Sequence, residues 1–185
     1  AALLDFGTSL RGDGLPVPTL DLGGGIGVDY DTGVATDFAD YGQLVSRLFA
    51  DRGFRLGFEP GRAIVANNGV LLTRVLYVKQ GDNKRFVIVD AAMNDLLRPT
   101  LYEAHHDVKT LHAAVADEGL ADIVGPVCET GDYLARERMM PALASGDALA
   151  VMSAGAYGAV MASTYNTRPH AGEVMVLDGA CHLLR

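Results

Sequence analysis

The sequence predicts two structural regimes in one chain, an α/β unit over residues 1–66 followed by an all-β domain over residues 67–185. Three observations predict this. A short apolar run, Pro18-Thr19-Leu20-Asp21-Leu22, breaks into Gly23-Gly24-Gly25-Ile26-Gly27, and apolar residues then recur at helical spacing through Phe38, Tyr41, Leu44, Val45, Leu48 and Phe49. A second apolar run stops at the charged turn Leu56-Gly57-Phe58-Glu59-Pro60-Gly61-Arg62, where Pro and Gly force the backbone to turn beside an acid and a guanidinium. Beyond Ala66 the helical period gives way to short strands separated by turn residues.

The first strand, glycine loop, helix and second strand make a β-α-β unit. Its strands should be parallel, with both following loops on the same edge of the sheet. Asp37 is placed to cap the helix and Gly53 to stop it. The opening Ala1-Ala2-Leu3-Leu4-Asp5 reads as the tail of a helix, and the chain as a fragment of something longer. Two β/α units are too few for a closed barrel, so the sheet is either small and open or continued upstream. In the second half, Val70 to Val78 and Phe86-Val87-Ile88-Val89 form a hairpin across Gly81-Asp82-Asn83-Lys84. Further strands are expected at Ile123-Val124, Ala148 to Met152 and Val174 to Leu177, the last returning through Asp178-Gly179 to Cys181–Leu184. Such a series predicts a β-sandwich or barrel.

With 185 residues, 49% of them hydrophobic, the chain has ample material for a packed core. The net charge of −8 argues against duplex nucleic acid or an anionic membrane as partner. No apolar run approaches the roughly 18 residues needed to span a bilayer. Cys128 and Cys181 lie far apart behind no signal-like segment, which fits a soluble protein of the reducing cytoplasm.

Several groups of residues could carry chemistry. The glycine loop reads equally as a tight turn or as a phosphate cradle, since the absence of Cβ atoms leaves backbone N–H groups open to an anion. Together with Glu59 to Arg62 it faces one edge, a common place for a ligand site. Asp29-Tyr30-Asp31-Thr32-Gly33 has a passing likeness to a calcium loop, but its glycine is misplaced, and a solvated loop is the better reading. Arg98 and Tyr102 could grip a carboxylate or phosphate, or could be an exposed arginine beside a packed tyrosine. His105 and His106 point to opposite faces of an extended segment and read as surface or structural residues. Gly125-Pro126-Val127-Cys128-Glu129-Thr130-Gly131-Asp132 holds a thiol beside acids; the thiol is either inert filler or a neutral proton donor, because Glu129 disfavours the thiolate. Ser153-Ala154-Gly155-Ala156-Tyr157-Gly158 surrounds one phenol with small residues, and Tyr165-Asn166-Thr167-Arg168-Pro169 reads as turn chemistry.

Leu20-Asp21-Leu22-Gly23-Gly24-Gly25, Phe58-Glu59-Pro60-Gly61-Arg62, Asp90-Ala91-Ala92-Met93-Asn94-Asp95 with Arg98-Pro99, Gly125-Pro126-Val127-Cys128-Glu129 and Gly155-Ala156-Tyr157-Gly158 stand in an order and approximate spacing that resembles the diaminopimelate decarboxylases. These belong to the pyridoxal-phosphate-dependent decarboxylases with an alanine-racemase-like fold. The resemblance covers nearly the whole chain and corresponds to the C-terminal part of such an enzyme. It implies the end of a pyridoxal-phosphate-binding (β/α)8 barrel followed by a β-sandwich or barrel domain, in a cytoplasmic homodimer with shared active sites and an amino-acid substrate. It also implies that Gly24, Gly25, Gly61 and Arg62 hold the phosphate of pyridoxal 5'-phosphate, Glu59 the ring nitrogen, and Tyr157 the cofactor. Arg62, Arg98, Tyr102, Glu129 and Tyr157 are implied as substrate-binding, and Cys128 as the proton donor of the catalytic step. Loss of carbon dioxide leaves a carbanion that a protonated pyridine ring delocalises, after which a neutral acid must return a proton. One departure is clear: the only lysines are Lys79, Lys84 and Lys109, none in a motif matching the lysine that anchors the cofactor. The implied activity therefore belongs to a longer parent protein. Related decarboxylases of ornithine, arginine or carboxynorspermidine, or a non-catalytic dimerisation module, are the alternatives.

Overall fold

The computed structural model describes residues 2–32, 34, 37–112 and 119–184. Gly33 of the calcium-like loop lies outside them. The chain divides into two compact units, one of Ala1–Asp29 with Val34–Val65 and the other of Tyr30–Gly33 with Ala66–Arg185.

The first unit runs α1 (Ala2–Gly12), β1 (Thr19–Asp21), α2 (Phe38–Phe49), β2 (Arg55–Gly57) and α3 (Gly61–Val65). β1 and β2 pair in parallel with Leu20 opposite Leu56, as a β-α-β unit requires. The Asp37 carboxylate accepts the N–H groups of Ala39 and Asp40 and so caps α2. α2 stops at Phe49 with Ala50 as its cap, four residues before the predicted stop at Gly53. Gly53 instead takes a left-handed turn, φ 71°, into β2. In the last turn of α1, Arg11 donates to the carbonyls of Val17 and Gly53, each at 2.9 Å, and lies over the Phe54 ring at 3.5 Å. One side chain thus ties the helix to the entries of both strands.

The second unit is a mixed six-stranded sheet in the order β5-β8-β3-β4-β6-β7, with a separate β9–β10 hairpin. Its strands are β3 (Leu71–Gln80), β4 (Arg85–Val89), β5 (Val108–Thr110), β6 (Gly119–Val124), β7 (Tyr133–Met140), β8 (Ala148–Val151), β9 (Val174–Leu177) and β10 (Ala180–Leu183). β3 pairs with β8 over Leu71–Arg74 and with β4 over Val75–Gln80. A strand that changes partner along its length turns the corner of a barrel, the all-β architecture expected from the sequence. Val75, Val87, Leu96, Ile123, Leu134 and Leu149 fill its core.

The strands are not simply in series. β4 and β6 are parallel, and parallel neighbours cannot be joined by a tight turn, so the chain between them makes a long crossover. That crossover carries α4 (Arg98–Tyr102) and β5. β7 has no clean alternation in the sequence because a register shift opposite Ala121 and Ile123 interrupts it, with Glu137 at φ 52°. Among the described residues no helix is long and apolar enough to cross a membrane.

Candidate functional site

In the first unit the two predicted loops interlock. The Asp21 carboxylate accepts the Gly23 N–H at 2.7 Å, Leu22 N–H bonds the Gly57 carbonyl, and Glu59 N–H bonds the Gly23 carbonyl at 2.8 Å. Gly24 lies so close to the Glu59 carbonyl oxygen that any Cβ would overlap it, which explains a glycine there. Gly25 has φ 78° and open space where a side chain would stand. The N–H groups of Gly24 and Gly25 have no partner among the described residues, whereas the Gly61 N–H is engaged with the Glu59 carbonyl at 2.9 Å. Glu59 is exposed, Arg62 is half-buried, and neither forms an ion pair within the described residues. A Cβ-free cradle, an unspent guanidinium and an unspent carboxylate fit a ligand with a phosphate at one end and a protonated ring nitrogen at the other.

In the second unit the structure reverses one of the two readings of α4. Arg98 is the buried residue, 9% exposed, and Tyr102 is 63% exposed. Pro99 starts the short helix, and Glu103, at φ 51°, ends it with its N–H on the Arg98 carbonyl. The Arg98 guanidinium lies 4.5 Å from the Tyr30 ring centroid and 5.9 Å from that of Tyr157. Its single hydrogen-bond partner among the described residues is His106, at 3.0 Å between Nη1 and Nε2. Among the described residues no carboxylate pairs with it.

His106 is fully buried, so of its two readings, surface or structural, the structural one holds. Its Nδ1 stands 2.9 Å from the Met152 carbonyl. A carbonyl only accepts, so Nδ1 carries the proton, and Nε2 offers its lone pair to an arginine that only donates. Burial pushes the His106 pKa down from 6.5 to about 4, helped by the charge of Arg98 and opposed by the Met152 carbonyl. His105, its neighbour, instead meets Arg138 at 2.6 Å.

The thiol loop is held by Asp132, which is 5% exposed. One carboxylate oxygen accepts Met93 N–H at 2.7 Å and the other Val127 N–H at 2.6 Å, joining the loop to the turn before α4. Burial raises the Asp132 pKa, and the two N–H donors work against that rise. Gly125 has no room for a side chain because the Asp132 carboxylate lies where its Cβ would be. Thr100 Oγ1 donates to Gly131 O at 2.5 Å and Tyr133 Oη to Pro99 O at 3.0 Å, so α4 and the loop are clipped twice more. Cys128 and Glu129 at its tip are exposed, as is Tyr157, which sits at φ 61° in the turn after β8. Arg168 acts structurally, as its turn context implied. It donates to Asp90 O at 2.5 Å and Asn94 Oδ1 at 2.9 Å and so braces the Asp90–Asp95 segment.

Of the predicted residues, Gly24, Gly25, Glu59, Gly61 and Arg62 stand on the two interlocked loops of the first unit; in the second, Arg98 and Tyr157 approach each other, Tyr102 ends α4, and Cys128 and Glu129 stand on the loop clipped to it. Sequence reasoning did not connect Tyr30 and His106 with Arg98. A signal for His106 was present, since it stands two residues before the apolar Val108 on an extended segment and therefore shares its buried face.

A family model described as pyridoxal-dependent decarboxylase, C-terminal sheet domain, matches residues 19–155. The chain belongs to this family. It is 50% identical over 180 residues to a diaminopimelate decarboxylase of Zymomonas mobilis, covering 96% of this chain and 42% of that protein. It is 51% identical over 183 residues to one of Pseudomonas aeruginosa, covering 99% of this chain and 44% of that protein. Among solved structures, diaminopimelate decarboxylase from Helicobacter pylori complexed with L-lysine superposes with a TM-score of 0.91 at 40% identity, covering all of this chain and 45% of that one. The chain therefore spans less than half the length of the relatives it matches.

Proposed function

We propose that this chain is the C-terminal part of an enzyme that decarboxylates meso-2,6-diaminopimelate to L-lysine and carbon dioxide with pyridoxal 5'-phosphate, the last step of lysine formation. The observation that carries this reading is the similarity of 96–99% of the chain, at about half identity, to relatives bearing that name. The buried Arg98, without a counter-charge among the described residues, supports a substrate carrying a carboxylate. In this reading residues 1–66 are the last β/α units of the cofactor barrel and residues 67–185 its C-terminal β domain.

When bound, the cofactor supplies a protonated pyridine ring that draws electrons away from the substrate α-carbon. Gly24 and Gly25 would hold its phosphate by backbone N–H groups and Arg62 by charge, while Gly61, whose own N–H is taken by the Glu59 carbonyl, leaves the approach clear of a side chain. Glu59 keeps the ring-nitrogen proton in place, and Tyr157 packs on the cofactor. Arg98 and Tyr102 grip a substrate carboxylate, with Arg62, Glu129 and Tyr157 completing the substrate contacts. The Cys128 thiol, at the exposed tip of its loop, delivers a proton to the α-carbon. Cys128 and Glu129 act in the site of a second subunit, so the parent enzyme is a homodimer with shared sites. None of the three lysines serves as the cofactor anchor: Lys84 pairs with Asp122 at 2.7 Å, Lys109 with Asp107 at 3.6 Å, and Lys79 stands in β3 outside the matching motifs. These residues alone should not turn over substrate.

The test is the turnover of meso-diaminopimelate against ornithine by the full-length parent. A preference for ornithine would sink the reading, and a parent barrel without an anchoring lysine would sink the enzyme class altogether.

A further inference from the structure

An arginine that must hold its position in a protein interior is usually fixed by a carboxylate, which binds it strongly and cancels its charge. The chain has 23 acidic against 15 basic residues, yet among the described residues no carboxylate pairs with Arg98. The guanidinium instead contacts uncharged partners: the His106 imidazole at 3.0 Å and the faces of Tyr30 and Tyr157. Tyr30 also packs edge-on to His106, with ring centroids 5.0 Å apart, so the imidazole is held from a second side. The Met152 carbonyl fixes the imidazole tautomer from the third. Only one protonation state satisfies this arrangement, because a proton on Nε2 would set two donors against each other.

We propose that His106 is a positioning residue: as a neutral acceptor it orients the Arg98 guanidinium while leaving its positive charge undiminished for a carboxylate of the substrate. The proposal rests on the reading of Arg98 as a substrate-carboxylate contact. It adds a requirement for the acceptor to be uncharged, which a merely structural histidine would not impose.

The experiment uses the full-length enzyme with meso-diaminopimelate and compares His106→Gln, His106→Glu, His106→Leu and Arg98→Gln. Glutamine can still donate to Met152 and accept from Arg98 without adding charge. Its KM should stay within about threefold of the wild type, whereas glutamate, which neutralises the guanidinium, should raise KM by about tenfold or more with a smaller change in kcat. Cofactor absorbance and circular dichroism report whether each variant folds. Should the glutamate variant fail to fold, leucine carries the same test, since losing the acceptor should raise KM by about fivefold or more. Equal KM values for glutamine, glutamate and leucine variants, alongside a raised KM for Arg98→Gln, would overturn the positioning role alone. An unchanged KM for Arg98→Gln would overturn the reading of Arg98 and the positioning role with it.

Discussion

At the scale of single residues, the chemistry-bearing side chains of the thiol loop are exposed and the residue that fixes the loop is buried. Cys128 and Glu129 lie at the open tip of their loop, while Asp132 beneath them satisfies two backbone N–H groups from different segments. Replacing Asp132 by Ala should leave both donors unpaired and cost about 2–4 kcal/mol, read as a lower urea midpoint, with Asp132→Asn costing less because one acceptor oxygen remains. Gly24→Ala should push a methyl into the Glu59 carbonyl and weaken cofactor uptake by about tenfold or more in a fluorescence titration. Unchanged cofactor affinity would remove the glycine loop from the cofactor site. Cys128→Ala in the full-length enzyme should slow turnover and leave cofactor absorbance intact; an undiminished rate would exclude the thiol from proton delivery.

At the scale of elements, the second unit is shaped by the parallel β4–β6 pair and its long crossover, which places α4 where the thiol loop can clip it. β6 is held to its surroundings by a polar contact within an apolar sheet. The Asp122 side chain, 8% exposed, accepts from Lys84 at 2.7 Å and from the bulged Glu137 N–H at 2.8 Å. Lys84→Ala should leave that carboxylate short of its charged partner and cost about 1–3 kcal/mol, discounted from a fully buried pair because Lys84 is 29% exposed. An unaltered denaturation midpoint would mean that water replaces the lysine without penalty. The β4–β6 pairing could not be read from the sequence, since a parallel register leaves no local turn signal, whereas the β3–β4 and β9–β10 hairpins announce themselves through Gly81-Asp82-Asn83-Lys84 and Asp178-Gly179.

At the scale of the whole molecule, the buried histidine gives stability a pH dependence. The unfolded chain takes up a proton on His106 near 6.5, and the folded chain only near 4. The neutral, folded form is therefore fully favoured above about 6.5, and that advantage is lost as pH falls toward 4, by on the order of 3 kcal/mol. Asp132, whose pKa is raised, opposes this loss in acid, and Asp90, whose pKa hydrogen bonds lower against the pull of burial, adds to it. Melting temperatures of wild type and His106→Gln should diverge from neutral pH downward, with the wild type losing more; parallel curves would remove His106 as the cause. Mixing Arg62→Ala and Cys128→Ala subunits of the full-length enzyme should restore part of the activity that each lacks alone, and inactive hybrids would argue against a site shared between subunits. The sequence by itself determined the β-α-β unit, the charged turn after its second strand, the hairpins and the family, because these rest on local turn chemistry, periodicity and ordered motifs. Only the tertiary structure decided that Arg98 rather than Tyr102 is buried, that a neutral histidine rather than an acid holds it, and that Asp132 anchors the thiol loop. Those outcomes depend on which distant backbone groups a fold brings within hydrogen-bonding reach, and no local pattern records that.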